Sequence, residues 1–134
     1  MRVIIDTNIF VMTLTSRSPY HIIYQALIAQ QYSLIVSTEI LLEYQEIISL
    51  KYGQSTTDFF LQMLDELPNI IFVTPFYRWA IMENDPEDNK FVDCGIAGQA
   101  DFLVTQDKHF NILKTIEFPK LSIISTEDFA KLLQ

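Results

Sequence analysis

A single cysteine, Cys94, stands in the 134 residues, so no disulfide can form within the chain and a small disulfide-stapled fold is excluded. Glycine and proline are scarce, at 3 and 5 residues, which removes collagen-like and linker-like readings. No apolar run approaches the ~18 residues of a membrane-spanning helix. The N-terminal run Val3-Ile4-Ile5 meets Asp6 too early to be the core of a secretion signal. Basic residues are also few: 9 Lys+Arg face 17 Asp+Glu, a net charge of −8. By itself that deficit speaks against a nucleic-acid partner, because phosphate binding normally shows as a basic surface. These absences lead to the expectation of a soluble, cytoplasmic protein with no membrane partner.

What is present is apolar: 49% of residues are hydrophobic and 13% aromatic, enough to bury a sizeable core and offset the entropy of ordering. No repeat or linker divides the chain, so residues 1–134 read as one domain. Short apolar runs at Arg2–Asp6, Tyr32–Ser37, Ile70–Val73, Phe102–Thr105 and Leu121–Ile124 read as buried strands. Between them lie helical patterns. One covers about Tyr20 to Gln30, with Ser18-Pro19 at its start, and another runs from about Thr38 to Leu50. A third runs from Ser55, with Asp58 completing a capping box, to about Leu67, and a fourth from Pro86 and Asp88 to about Ala100. A last helix opens at Thr126, and the stretch after the first strand reads as a loop. Strands alternating with helices predict an α/β fold with a mostly parallel sheet.

In such a sheet, sites form at the carboxyl ends of the strands. Asp6 ends the first strand, Asp107 lies just beyond the fourth, and Asp88 caps a helix that starts on that same edge. Advancing about 100° per residue along the helix after the second strand groups Ile40, Tyr44, Ile47 and Ile48 as its buried stripe. Glu43 falls at the border of that stripe, with Glu39 and Glu46 further out. Each acid alone would be a cap, a turn or a solvated residue. Four on one rim repel: at ~5 Å and an effective dielectric of about 20, each like-charge pair costs roughly 3 kcal/mol. A hard divalent cation relieves this, and all-oxygen ligation favours Mg²⁺ or Mn²⁺. No histidine–cysteine set competes, with only His21, His109 and Cys94 present. The matching reaction class is metal-dependent phosphodiester hydrolysis.

Three stretches then resemble a known family. Val3-Ile4-Ile5-Asp6-Thr7-Asn8 is similar to the first motif of PIN-domain nucleases, and Ser37 to Tyr44, with Glu43 at the acidic position, is similar to the second. Asp85-Pro86-Glu87-Asp88-Asn89-Lys90-Phe91-Val92-Asp93-Cys94, continued through Ala100 to Asp107, resembles the joined third and fourth motifs. This is the form they take in a VapC-like bacterial and archaeal branch of toxin–antitoxin toxins. The resemblance implies a single-domain three-layer α/β/α sandwich and a divalent-metal ribonuclease. It also implies an RNA substrate, an antitoxin partner and a homodimer. Asp6, Glu43, Asp88 and Asp107 would bind metal. Asn8 and Thr105 would orient those ligands or the water, Asp93 would help or act structurally, and Asp85 would cap or reach the metal through water. Gly95 stands where many members carry alanine.

Lys90, Lys108 and His109 lie beside these acids in sequence, and Arg17 lies in the loop after the first strand. All four are candidates for substrate phosphate. Tyr20, Phe76, Tyr77 and Trp79 could stack on unpaired bases. The rival readings are a catalytically weak PIN-fold module that binds RNA or acts as a scaffold, and a metal-dependent phosphatase. The phosphatase pattern calls for an Asp where this chain has Asn8.

Overall fold

Three consecutive apolar residues, Val3, Ile4 and Ile5, dictate what surrounds the first strand. In the computed structural model, which describes residues 1–134, they lie in β1 (Arg2–Ile5) and each is 0% exposed. Successive strand side chains point to opposite faces, so both faces of β1 are covered and the architecture is a three-layer α/β/α sandwich. Four further strands, β2 (Ser33–Val36), β3 (Ile70–Phe72), β4 (Phe102–Val104) and β5 (Ile123–Ile124), complete the sheet. Its order is β3-β2-β1-β4-β5, and every neighbouring pair is parallel. The chain therefore leaves β1 toward one edge and later returns to build β4 and β5 on the other side. This reversal opens a crevice at the carboxyl ends of β1 and β4, the place where open α/β sheets bind ligands.

The helices are α1 (Thr7–Thr13), α2 (His21–Ile28), α3 (Thr38–Tyr52), α4 (Gln54–Glu66), α5 (Asn89–Ala97) and α6 (Thr126–Leu132). Tight 3-10 turns cover Pro86–Asp88 and Lys108–Thr115. Helix α5 packs on β1, β2 and β4. A Cβ at Gly95 would meet the Leu121 side chain at 2.9 Å and Ile4 at 3.6 Å, so the glycine lets this helix seat closely. On α1, the Phe10 ring stacks on Tyr44 of α3 at 4.9 Å and meets Phe60 of α4 edge-on at 5.0 Å. Such aromatic pairs add roughly 0.5–1.5 kcal/mol each beyond the area they bury. No helix is long and apolar enough to cross a membrane.

Three local expectations differ from the structure. The stretch read as a loop after β1 is helical, because Ile9, Phe10 and Val11 are buried and tertiary burial outweighs the weak helix preference of branched and aromatic residues. The helix expected from Ser18-Pro19 begins at His21, and Ser18 Oγ instead accepts from the Tyr20 N–H at 3.1 Å. No Ser55–Asp58 capping box forms. Gly53, at φ +91°, joins α3 directly to α4, and Asp58 accepts from Gln54 Nε2 at 2.7 Å.

Candidate metal centre

Strand pairing carries the first acid to the crevice. The Asp6 N–H donates to the Val104 carbonyl at 3.0 Å, extending the β1–β4 ladder by one residue. Asp6 Oδ2 then accepts from the buried Thr105 hydroxyl at 2.8 Å, and the Thr105 hydroxyl oxygen in turn accepts from the Asp107 N–H at 3.0 Å. One threonine thus fixes two acids relative to each other. Asp107 Oδ1 caps the following 3-10 turn by accepting from the His109 N–H at 2.9 Å. The His109 ring comes back with it, its Nδ1 at 3.5 Å from Asp107 Oδ1 and 3.4 Å from Asp85 Oδ2. Asp85 and Asp88 flank the other 3-10 turn, where the Asp88 N–H donates to the Asp85 carbonyl at 3.0 Å. Ligand atoms of Asp85, Asp88, Asp107 and His109 all lie within 4.8 Å of one another.

These acids are poorly neutralised. Asp88 Oδ2 is buried with no hydrogen-bond partner. Its carboxyl is pushed up to about 7, by burial first and then by the charges of Asp85, Asp6 and Asp107. Asp6 is raised as well, chiefly by burial and further by Asp107 and Glu43, against the lowering hydrogen bond from Thr105. An orphaned carboxylate oxygen in an oxygen-rich, mutually repelling set fits a hard divalent cation.

Glu43 is placed differently. Helix α3 brings it to the flank of the crevice, where Oε1 lies 2.8 Å from Lys90 Nζ and Oε2 accepts from the Thr7 hydroxyl. Its neighbour Tyr44 donates to the Ile5 carbonyl and so ties α3 to the end of β1. Lys90 is 9% exposed and also donates to the Glu87 carbonyl at 2.8 Å. Its charged partners are therefore Glu43 and Glu87, and it also lines an open cleft with Ser37, Glu39 and Arg78.

The other expected residues are spread more widely. Asn8 is exposed on the first turn of α1. Asp93 is 8% exposed and accepts from the Trp79 N–H at 3.1 Å, anchoring the segment after β3. Lys108 is exposed and lines a groove with Thr105, Asp107 and Lys114 that adjoins the acids. Arg17 is exposed between α1 and α2. Tyr20 donates to Glu127 at 3.3 Å, Phe76 is 95% exposed, and Tyr77 and Trp79 pack ring to ring at 4.5 Å.

Sequence reading overlooked the Thr7 contact and the partner of Lys90, whereas Asp85 and His109, both singled out from the sequence, lie within reach of Asp88 and Asp107. For Asp85 a signal existed, since residues three apart eclipse one another in a 3-10 turn. For Lys90 there was none, because its partner lies on another helix.

The sequence matches the PIN domain family over residues 2–109. No curated protein matches it. Among solved structures it is similar to the crystal structure of VapBC2 from Rickettsia felis bound to a DNA fragment from their promoter. The identity is 22% and the TM-score 0.63, covering 93% of this chain and 98% of that one. At that identity the likeness is one of fold.

Proposed function

The chain belongs to the PIN-domain family, and on that premise we propose that it is a divalent-metal-dependent endoribonuclease that hydrolyses RNA phosphodiester bonds, with residues 1–134 as one nuclease domain. The observation that carries this reading is the buried, partnerless Asp88 Oδ2 set among Asp6, Asp85 and Asp107 at the sheet's reversal point. Asp6, Asp88 and Asp107 would hold Mg²⁺ or Mn²⁺, with Asp85 and His109 in reach of the same centre and Glu43 at its flank. When bound, the ion would supply a Lewis acid and lower the pKa of the water bound to it.

The chain's own residues do the rest. Thr105 keeps Asp6 and Asp107 at a fixed separation, and Asp107 in turn sets the His109 backbone. Lys108 and Lys114 line the groove that leads from Asp107 and offer positive charge to phosphates flanking the bond to be cut. Asn8 and Arg17 lie at exposed positions outside this groove. A net charge of −8 gives little non-specific attraction for RNA, so binding depends strongly on the metal and weakly on salt.

Family membership and the fold shared with VapBC2 support a further step, that the chain is the toxin of a toxin–antitoxin pair with an antitoxin protein as partner. Exposed Leu42, Leu50 and Phe59 on α3 and α4 suit a homodimer or partner face, which light scattering on the purified protein tests. For the activity, purified protein is incubated with Mn²⁺ and single-stranded or structured RNA. Cleavage by the wild type, lost in Asp6→Asn, is the expected result. RNA left intact by the wild type with both Mn²⁺ and Mg²⁺ overturns the reading.

A further inference from the structure

We propose that Lys90 is a built-in counter-cation for Glu43, so that the crevice takes one divalent ion, at Asp6, Asp88 and Asp107, and Glu43 is a positioned neighbour of that ion rather than its ligand. The inference rests on the metal reading above and deepens it. Both oxygens of Glu43 are engaged, Oε1 by the Lys90 ammonium at 2.8 Å and Oε2 by the Thr7 hydroxyl. Asp88, by contrast, keeps a buried oxygen with no partner.

Glu43 is the nearest carboxylate to the Lys90 ammonium, at 2.8 Å against 3.7 Å for the exposed Glu87. Lys90 is the second residue of α5, its side chain is 9% exposed, and its other contacts are the Glu87 carbonyl at 2.8 Å and carboxylate at 3.7 Å. A second metal ion at Glu43 would have to displace an ammonium already in hydrogen-bond contact with its ligand atom. Two cations sharing one carboxylate in a partly dry site would also repel. Lys90 is therefore a positioning residue: it balances Glu43 so that the field of that carboxylate does not add fully to the repulsion on Asp6.

Counting bound Mn²⁺ by calorimetry and electron paramagnetic resonance tests this without any measurement of activity. The wild type is expected to bind one ion, Lys90→Met to bind a second through the released Glu43, and Lys90→Arg to return the count to one. The paired change Glu43→Gln with Lys90→Met leaves that flank neutral, and is expected to hold one ion with an affinity within about threefold of the wild type. A loss of more than about 100-fold there, beyond what a group behind the metal ligands costs, would mark Glu43 as a ligand. Two ions in the wild type, or one in Lys90→Met, overturns the proposal while leaving the metal reading intact. No Mn²⁺ bound by the wild type overturns both. The wild-type count and the neutral pair decide the matter even where Lys90→Met is too unstable to purify.

Discussion

The two flanks of the crevice carry the same functional group in opposite electrostatic states. On the α3 flank, Glu43 meets an ammonium and a hydroxyl, and its charge is balanced within the protein. On the flank built by the two 3-10 turns, Asp88 shares a partly dry space with Asp85, Asp6 and Asp107, and one of its oxygens has no partner. Both are acids on one rim, yet only the second set is frustrated without an external cation. What shares an acid's space sets its electrostatic state here: Glu43 has a lysine beside it, whereas the crowded carboxylates around Asp88 have none and fit a cation.

The largest expected effect falls on the frustrated flank. Asp88→Asn should reduce Mn²⁺-dependent RNA cleavage by at least ~100-fold, since losing even a group behind a metal ligand costs 10–100-fold. Retention of cleavage within tenfold would erase the distinction between the flanks. Thr105→Val comes next: without the hydroxyl joining Asp6 to Asp107, Mn²⁺ affinity should fall ~10–100-fold while the fold persists. Unchanged titration curves would reduce Thr105 to a packing role.

On the balanced flank the effect is on stability. Lys90→Met should cost about 2 kcal/mol in urea unfolding of the metal-free protein, the scale of a hydrogen bond to a charged group. Adding Glu43→Gln should recover much of that loss, and full additivity of the two changes would show that the pair is not coupled.

The smallest effect is the most diagnostic of charge. Asp88 titrates near 7 in the fold against an ordinary 3.8, so the folded state holds its proton more tightly than the unfolded chain does. That contribution to stability is complete at low pH and is lost as pH rises through about 7. The melting temperature of metal-free protein should therefore decline between roughly pH 4 and pH 7. Saturating Mn²⁺, which takes the place of the proton, should flatten the decline, and so should Asp88→Asn. A metal-free profile that rises over the same interval would contradict the raised carboxyl.

Much of the fold was legible because hydrophobic runs and their periods are local. Val3 to Ile5, Leu34 to Val36 and Leu103-Val104 could only be buried strands, and the helical stripes between them fixed the α/β alternation. The convergence of Asp6, Asp88 and Asp107 followed, since parallel strands joined by helices end on one edge. What stayed illegible depended on partners distant in sequence. Ile9-Phe10-Val11 carries no strong helical preference of its own, and it is helical because Phe10 inserts between Tyr44 and Phe60. The partner of Lys90 was equally hidden: its nearest acid in sequence is Asp88, whereas its nearest acid in space is Glu43.

The sequence alone determined the layered α/β plan, the edge on which the acids gather and the oxygen-rich chemistry they offer. Only the tertiary structure decided which acid is balanced and which is left in need of a cation. Coulombic attraction and desolvation depend on distance and burial, and the approach of α5 to α3 sets both for Lys90 and Glu43.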